Sequence, residues 1–245
     1  MNSPLTQVPV SSNETAVVTD ELELMRQWLY LKNARLLDLG CGPAPVARRL
    51  LMEGGAAEVV CMDTDTKALS AIHASTPPAG IKVVEGGAES IPYPDASFDG
   101  VIMMKSLHHV PVESMDASLR EIARVLNEDG ILYVSEPVYA GEFNEIVRLF
   151  HDERHVRGQA IEAMKRAAAD GIYVQETEFH FIAPGYFRDF ADFQKRIINA
   201  THNTFSISPE KMEEIRASFE RHLTEDGAHF SRLMRINVLR KAAAA

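Results

Sequence analysis

The chain has 245 residues, 46% hydrophobic and 24% charged, with a formal net charge of −10. This length fits one well-buried α/β domain with additions, or at most two small domains. The acidic balance, with Lys and Arg scattered among acids, disfavours DNA or RNA and favours a small-molecule substrate; no apolar run approaches the roughly 20 residues that span a bilayer.

In chain order, residues 1–16 are polar, rich in Ser, Thr, Asn and Pro, and are expected to be a loose tail. They have neither the positive start nor the apolar core of a signal peptide. From Asp20 the pattern turns helical, with Leu22, Met25 and Leu29 on one face. Strands are expected at 35–39, 57–62, 81–84, 99–104 and 130–135, alternating with helices near 44–53, 64–75 and 113–127. These strands are nearly continuous apolar runs, as expected where helices cover both sheet faces. Beyond Glu136 come a helical stretch at 142–169, a strand at 172–183, helical segments at 186–200 and 208–223, and a last strand at 231–240. The expected fold is an α/β, doubly wound, mostly parallel seven-stranded sheet with an antiparallel last strand. Residues 17–245 are read as one domain, in which 140–230 form a helical region covering the substrate. Ala242 to Ala245 are expected to be a disordered tail. Cys41 and Cys61 belong to no spaced set and are expected to be reduced and buried, as in a cytoplasmic protein.

Residues 35–44 are the most informative. An apolar strand reaches Asp38 and then Gly40 and Gly42, one residue apart, before a helix begins near Val46. Glycines at such a turn let backbone approach a ligand closely. The dinucleotide fingerprint Gly-x-Gly-x-x-Gly fails, because its sixth position is Pro45.

Over about residues 35–136 the chain resembles the methyltransferase type 11 group of class I S-adenosylmethionine-dependent enzymes. The matching stretches are Leu-Leu-Asp-Leu-Gly-Cys-Gly (36–42), the acid Asp63 ending the second strand, and Gly-Ala-Glu-Ser-Ile-Pro-Tyr-Pro-Asp-Ala-Ser-Phe-Asp (87–99). Ser-Leu-His-His-Val-Pro (106–111) and Leu-Arg-Glu-Ile-Ala-Arg-Val-Leu (119–126) follow in the same order. The resemblance implies S-adenosylmethionine as cofactor and S-adenosylhomocysteine as product. It implies a binding set of Asp38, Gly40, Cys41, Gly42, Asp63, Thr64, Gly87, Ala88, Glu89 and Met104. In this set Asp38 bears on the ammonium group or the turn, Asp63 on the ribose hydroxyls, and Gly87 and Ala88 on the adenine. The chain departs from the pattern twice. Ala44, between two prolines, replaces the third glycine, and Gly87 replaces the usual adenine-loop acid, for which Glu89 or a backbone carbonyl could substitute.

Asp38 could instead cap its turn, and Asp63 could cap the helix that follows. Asp99 is read as structural, starting the fourth strand. His108 and His109 are the candidate catalytic residues: either could take a proton from the acceptor, or the pair could fix its loop by hydrogen bonds. Glu136 is an alternative base. Lys105 is either a crevice charge for an anionic substrate or a solvated lysine. His151 and His155, four apart, imitate a metal-binding spacing on one helix face. No third ligand is identifiable and methyl transfer requires no metal, so none is expected. Glu142, His151, Arg154, His155, Tyr173, His180, Tyr186, His202 and Asn203 concentrate polar and aromatic groups in the covering region.

The expected activity is methyl transfer to a small polar or heteroaromatic metabolite, with N, O or S as acceptor atom left open. No nucleic-acid or membrane partner is expected, and both monomer and homodimer remain open. The alternatives are a non-catalytic S-adenosylmethionine- or S-adenosylhomocysteine-binding protein and a nicotinamide-dependent oxidoreductase; a nucleic-acid methyltransferase is disfavoured by charge.

Overall fold

The computed structural model describes residues 16–18, 20–199 and 205–243. Residues 1–15 of the tail expected at 1–16, and His202, Asn203, Ala244 and Ala245, lie outside them. Five parallel strands, β1 (Arg35–Leu39), β2 (Glu58–Asp63), β3 (Ile81–Glu85), β4 (Phe98–Met104) and β5 (Leu126–Pro137), form one half of a sheet. Two long strands complete it: β6 (Tyr173–Phe187) and β8 (Gly227–Lys241), with β8 inserted antiparallel between β5 and β6. The order is β3-β2-β1-β4-β5-β8-β6, and a two-residue strand, β7 (Leu223–Thr224), folds onto β8. The seven expected strands are present, and β7 is the addition.

Both sheet faces are buried, which explains the unbroken apolar runs. On one face Leu37, Val60, Val101 and Leu132 pack beneath helices α4 (Met115–Val125) and α6 (Arg154–Ala169). On the other, Leu36, Val59, Ile102 and Tyr133 meet α1 (Glu21–Trp28), α2 (Pro45–Met52) and α3 (Thr66–Ala74). Cys41 and Cys61 are buried free thiols.

The helical stretch expected at 142–169 is broken. α5 (Glu142–Val147) ends early, and α6 starts only at Arg154. His151 therefore precedes the helix that carries His155, and the two do not share a helix face. The expected helix at 186–200 is a single turn, α7 (Phe190–Phe193), running into a π-helical turn at Gln194–Ile198, while β6 extends to Phe187. α8 (Pro209–Glu220) begins at a Ser208 cap, whose hydroxyl accepts from Lys211 N. These pieces enclose a third, phenylalanine-rich cluster that includes Phe187, Phe190, Phe193, Phe219 and Phe230. The parallel order reverses between β1 and β4, the point at which doubly wound sheets open a crevice at their strand ends. Among the described residues no helix is long and apolar enough to cross a membrane.

Candidate functional site

A cavity of about 1070 Å3 opens at the carboxyl ends of β1, β2, β3 and β4 and continues beneath the helical cover. Ligand pockets usually occupy roughly 300–1,000 Å3, so this one has room for more than a single small ligand. Asp38, Gly40, Cys41, Gly42, Asp63, Thr64, Gly87, Ala88, Glu89, Met104, His108 and His109 all line it.

The glycine turn has two different functions. Gly40 is left-handed (φ +76°), and a Cβ there would lie 2.4 Å from Ser106 Cβ, so this glycine admits the β4 loop rather than a ligand. Gly42 is also left-handed (φ +52°) but has nothing within 4 Å of a notional Cβ, leaving its backbone open to the cavity. Its N–H donates to Asp63 Oδ2 at 2.7 Å, while Asp63 Oδ1 accepts from Asp65 N at 2.9 Å. Asp63 thus ties the turn to the end of β2, and its remaining lone pairs are available to hydroxyls. It does not cap α3; that cap is Asp65, which accepts from Lys67 N and Ala68 N. Ala44 keeps the left-handed conformation without being glycine (φ 59°) and gives α2 no side-chain cap.

Asp38 supplies the missing cap. One of its carboxylate oxygens takes the N–H of Ala47 in the first turn of α2. The other, Oδ2, is buried without a hydrogen-bond partner. Burial, outweighing the Ala47 bond and aided by the Asp63 charge, pushes Asp38 up to about 7. A buried, unsatisfied carboxylate oxygen facing a cavity is complementary to a cation. In the adenine loop, a Cβ at Gly87 would lie 2.4 Å from a Glu89 carboxylate oxygen. Glu89 therefore folds back over the position from which the absent side chain would start. The crevice thus places an unsatisfied acid near an open glycine backbone, an arrangement complementary to a cationic group.

On the far side of β4, Leu107 N donates to Glu136 Oε1 at 2.9 Å, and His108 Nδ1 is bonded to Glu136 Oε2. His108 Nε2 lies 3.4 Å from Glu153 Oε1, and the other Glu153 oxygen pairs with Arg157. Burial opposes a charge on His108, but the bonds and charges of Glu136 and Glu153 outweigh it and raise the imidazole to about 9. Glu153, although buried, is held below the usual carboxylate range by His108 and Arg157. His108 is thus a buried imidazolium with both nitrogens facing carboxylates, a poor arrangement for a free base. His109 is exposed to the cavity. Ligand-type atoms of His108, His109 and Glu153 lie within 4.8 Å of one another, so histidines and an acid converge here rather than at the 151/155 spacing. Asp99 is structural, accepting from Arg35 N at 2.8 Å and Asn127 Nδ2 at 2.7 Å.

Residues 37–134 match a family model described as a methyltransferase domain. Over this stretch, about two fifths of the chain, the protein is similar to that family. The chain is 25% identical over 187 residues to a fatty-acid O-methyltransferase of Mycolicibacterium smegmatis, covering 70% of this chain and 66% of that protein. It is 29% identical over 135 residues to the uncharacterized methyltransferase YcgJ of Bacillus subtilis, covering 52% of each. The matches thus span half to two thirds of these relatives' own length. In fold, the crystal structure of a putative methyltransferase (BH2331) from Bacillus halodurans superposes with a TM-score of 0.64 at 19% identity, covering 92% of this chain and 100% of that one. S-adenosylmethionine is the cofactor that a methyltransferase domain of this kind implies.

The covering region is less well anticipated by the sequence. Of the nine residues singled out there, only His151 lines the cavity among those described. Tyr173 is buried, donating its hydroxyl to Leu119 O at 2.8 Å. Asn144, Glu153, Arg157, Arg196 and Arg232, together with Phe143, Phe150 and Phe205, line the cavity without any sequence motif to single them out. One spacing signal was present: Glu153 and Arg157, four apart, flank the start of α6 and pair.

Proposed function

We propose that this protein transfers the methyl group of S-adenosylmethionine to a small molecule held between the sheet edge and the helical cover. The observation that carries the reading is the orphaned, buried Asp38 Oδ2 beside the open Gly42 backbone, within the stretch similar to methyltransferase domains. When bound, the cofactor supplies a methyl carbon on a sulfonium, already activated for displacement. In this reading Asp38 holds the ammonium group and Asp63 the ribose hydroxyls, while Ala88 N–H and Glu89 hold the adenine. Cys41, Thr64 and Met104 pack along the ligand. The protein aligns the reacting atoms and excludes water.

Of the small polar or heteroaromatic acceptors expected from the sequence, the mixed walls, where Asn144 and His109 stand beside Phe143 and Phe150, favour a molecule that joins a polar group to an apolar body. His108 acts by fixing the loop after β4 through Glu136 and Glu153. His109 is the better-placed base where a protonated acceptor needs one.

The test is methyl transfer from isotopically labelled S-adenosylmethionine to a panel of small acceptors. Formation of S-adenosylhomocysteine with any acceptor supports the reading. Tight cofactor binding with no turnover across the panel favours a binding-only protein, the reading to which the departures at Ala44 and Gly87 point.

A further inference from the structure

The cavity is electrostatically divided, although the protein as a whole is acidic. Acids gather where the methyl donor would sit: Asp38 at the end of β1, Asp63 and Asp65 after β2, Glu89 after β3. Every lysine and arginine of the lining lies on the other side: Lys105 after β4, Arg157 on α6, Arg196 in the π-helical turn and Arg232 on β8. The one acid there, Glu153, is already engaged by Arg157, His108 and His151.

The unsatisfied groups follow the same division. At the donor end the orphan is an acceptor, Asp38 Oδ2; across the cavity the orphans include the donors Arg232 Nε, Arg157 Nε and Asn144 Nδ2. Buried polar groups are normally paired, so a ligand bearing an oxyanion is the natural complement to that second set.

Arg232 is the most exceptional of these. Arg157 and Arg196 have carboxylate partners, but among the described residues Arg232 has none within ion-pair distance. It donates to Pro184 O at 3.2 Å and lies over the Phe143 ring at 5.9 Å. Burial and the neighbouring Arg196 charge press it toward deprotonation, and Lys105 in turn feels Arg232 as a like charge. A half-buried guanidinium that feels the like charges of Arg196 and Lys105 is costly without a counter-ion. Next to it the wall is apolar: Phe150 and Phe205 meet edge to face at 5.3 Å, and Phe143 closes the α5 side.

We infer that the methyl acceptor is an apolar acid, its carboxylate paired with Arg232 and its hydrophobic body packed against Phe143, Phe150 and Phe205. This rests on reading the crevice as a methyl-transfer site and narrows the acceptor class beyond it. The bidentate fork of arginine suits a carboxylate better than it suits a neutral carbonyl.

Calorimetric titration of the full chain, first with S-adenosylhomocysteine and then with the saturated protein, tests it. The probes are decanoate and 3-phenylpropanoate, each beside its primary amide and its amine. The acids are expected to bind at least about tenfold more tightly than the amides, with the amines weakest. Arg232→Gln should reduce acid affinity to that of the amides, and Arg232→Lys should recover part of it, with S-adenosylhomocysteine affinity unchanged in both. Amides or amines binding as well as acids, no binding of either acid, or acid affinity surviving Arg232→Gln in a folded protein would each overturn the inference. Failure of S-adenosylhomocysteine to bind at all would instead remove the methyl-transfer reading beneath it.

Discussion

Asp63 and Gly42, twenty-one residues apart, are joined by a 2.7 Å hydrogen bond from the glycine N–H to the carboxylate. The contact couples the two loops that would hold the methyl donor under the proposed function. Asp63→Ala is expected to weaken S-adenosylhomocysteine binding by about tenfold to a hundredfold, because it removes hydroxyl acceptors and loosens the turn together. Asp63→Asn should fall between, since an amide oxygen still accepts from Gly42. Calorimetry on both variants checks the order.

The two glycines separate stability from binding. Gly40→Ala introduces a left-handed alanine and a 2.4 Å collision with Ser106 Cβ, at a cost of about 2–5 kcal/mol, read as a lowered Tm. Gly42→Ala meets no atom and should cost only about 1–2 kcal/mol of backbone strain. Its methyl group projects into the crevice, so the larger effect should be on cofactor affinity.

Under the proposed function, Asp38 gives cofactor binding a pH dependence. Its carboxyl sits at about 7 in the free protein, so below that pH a proton must leave before the site can hold an ammonium group. Affinity for S-adenosylhomocysteine is expected to rise from pH 5.5 to 7 and then flatten, with proton release visible in buffers of different ionisation enthalpy. Asp38→Asn should abolish the rise. Because the folded pKa lies above the ordinary 3.8, the free protein also loses stability as pH climbs through this window.

His108 carries a second signature. Its folded pKa of about 9 lies above the ordinary 6.5, so its contribution is fully present below pH 6.5 and is lost as pH rises through 9. Melting curves should therefore show a loss of about 3 kcal/mol across that range, and Glu153→Gln should shrink it. A flat profile between pH 6.5 and 9.5 would contradict the buried imidazolium.

That Asp38, Gly42 and Asp63 would meet at one end of the crevice was legible in the sequence because strand-end position and glycine spacing are local properties. Asp38, Gly42 and Asp63 each end or follow a strand whose apolar run is unmistakable. Even so, the sequence did not separate Gly40 from Gly42, because Ser106, the neighbour that demands a glycine at 40, is sixty-six positions away. The covering half was not legible for the same physical reason. Arg232 reads as an ordinary strand residue, and only the pairing of β8 between β5 and β6 brings it over Phe143. The broken helix at 148–153 was hidden because nothing there is a strong helix breaker; tertiary demand from Glu153, drawn to His108, sets the new start.

The central claim is that the crevice at the ends of β1 and β2 holds S-adenosylmethionine. Calorimetric titration of the full chain with S-adenosylhomocysteine and, separately, with NAD+ tests it most directly. The account predicts one S-adenosylhomocysteine bound per chain, with a dissociation constant of about 1 mM or tighter, and no heat with NAD+. NAD+ binding without S-adenosylhomocysteine binding would contradict it.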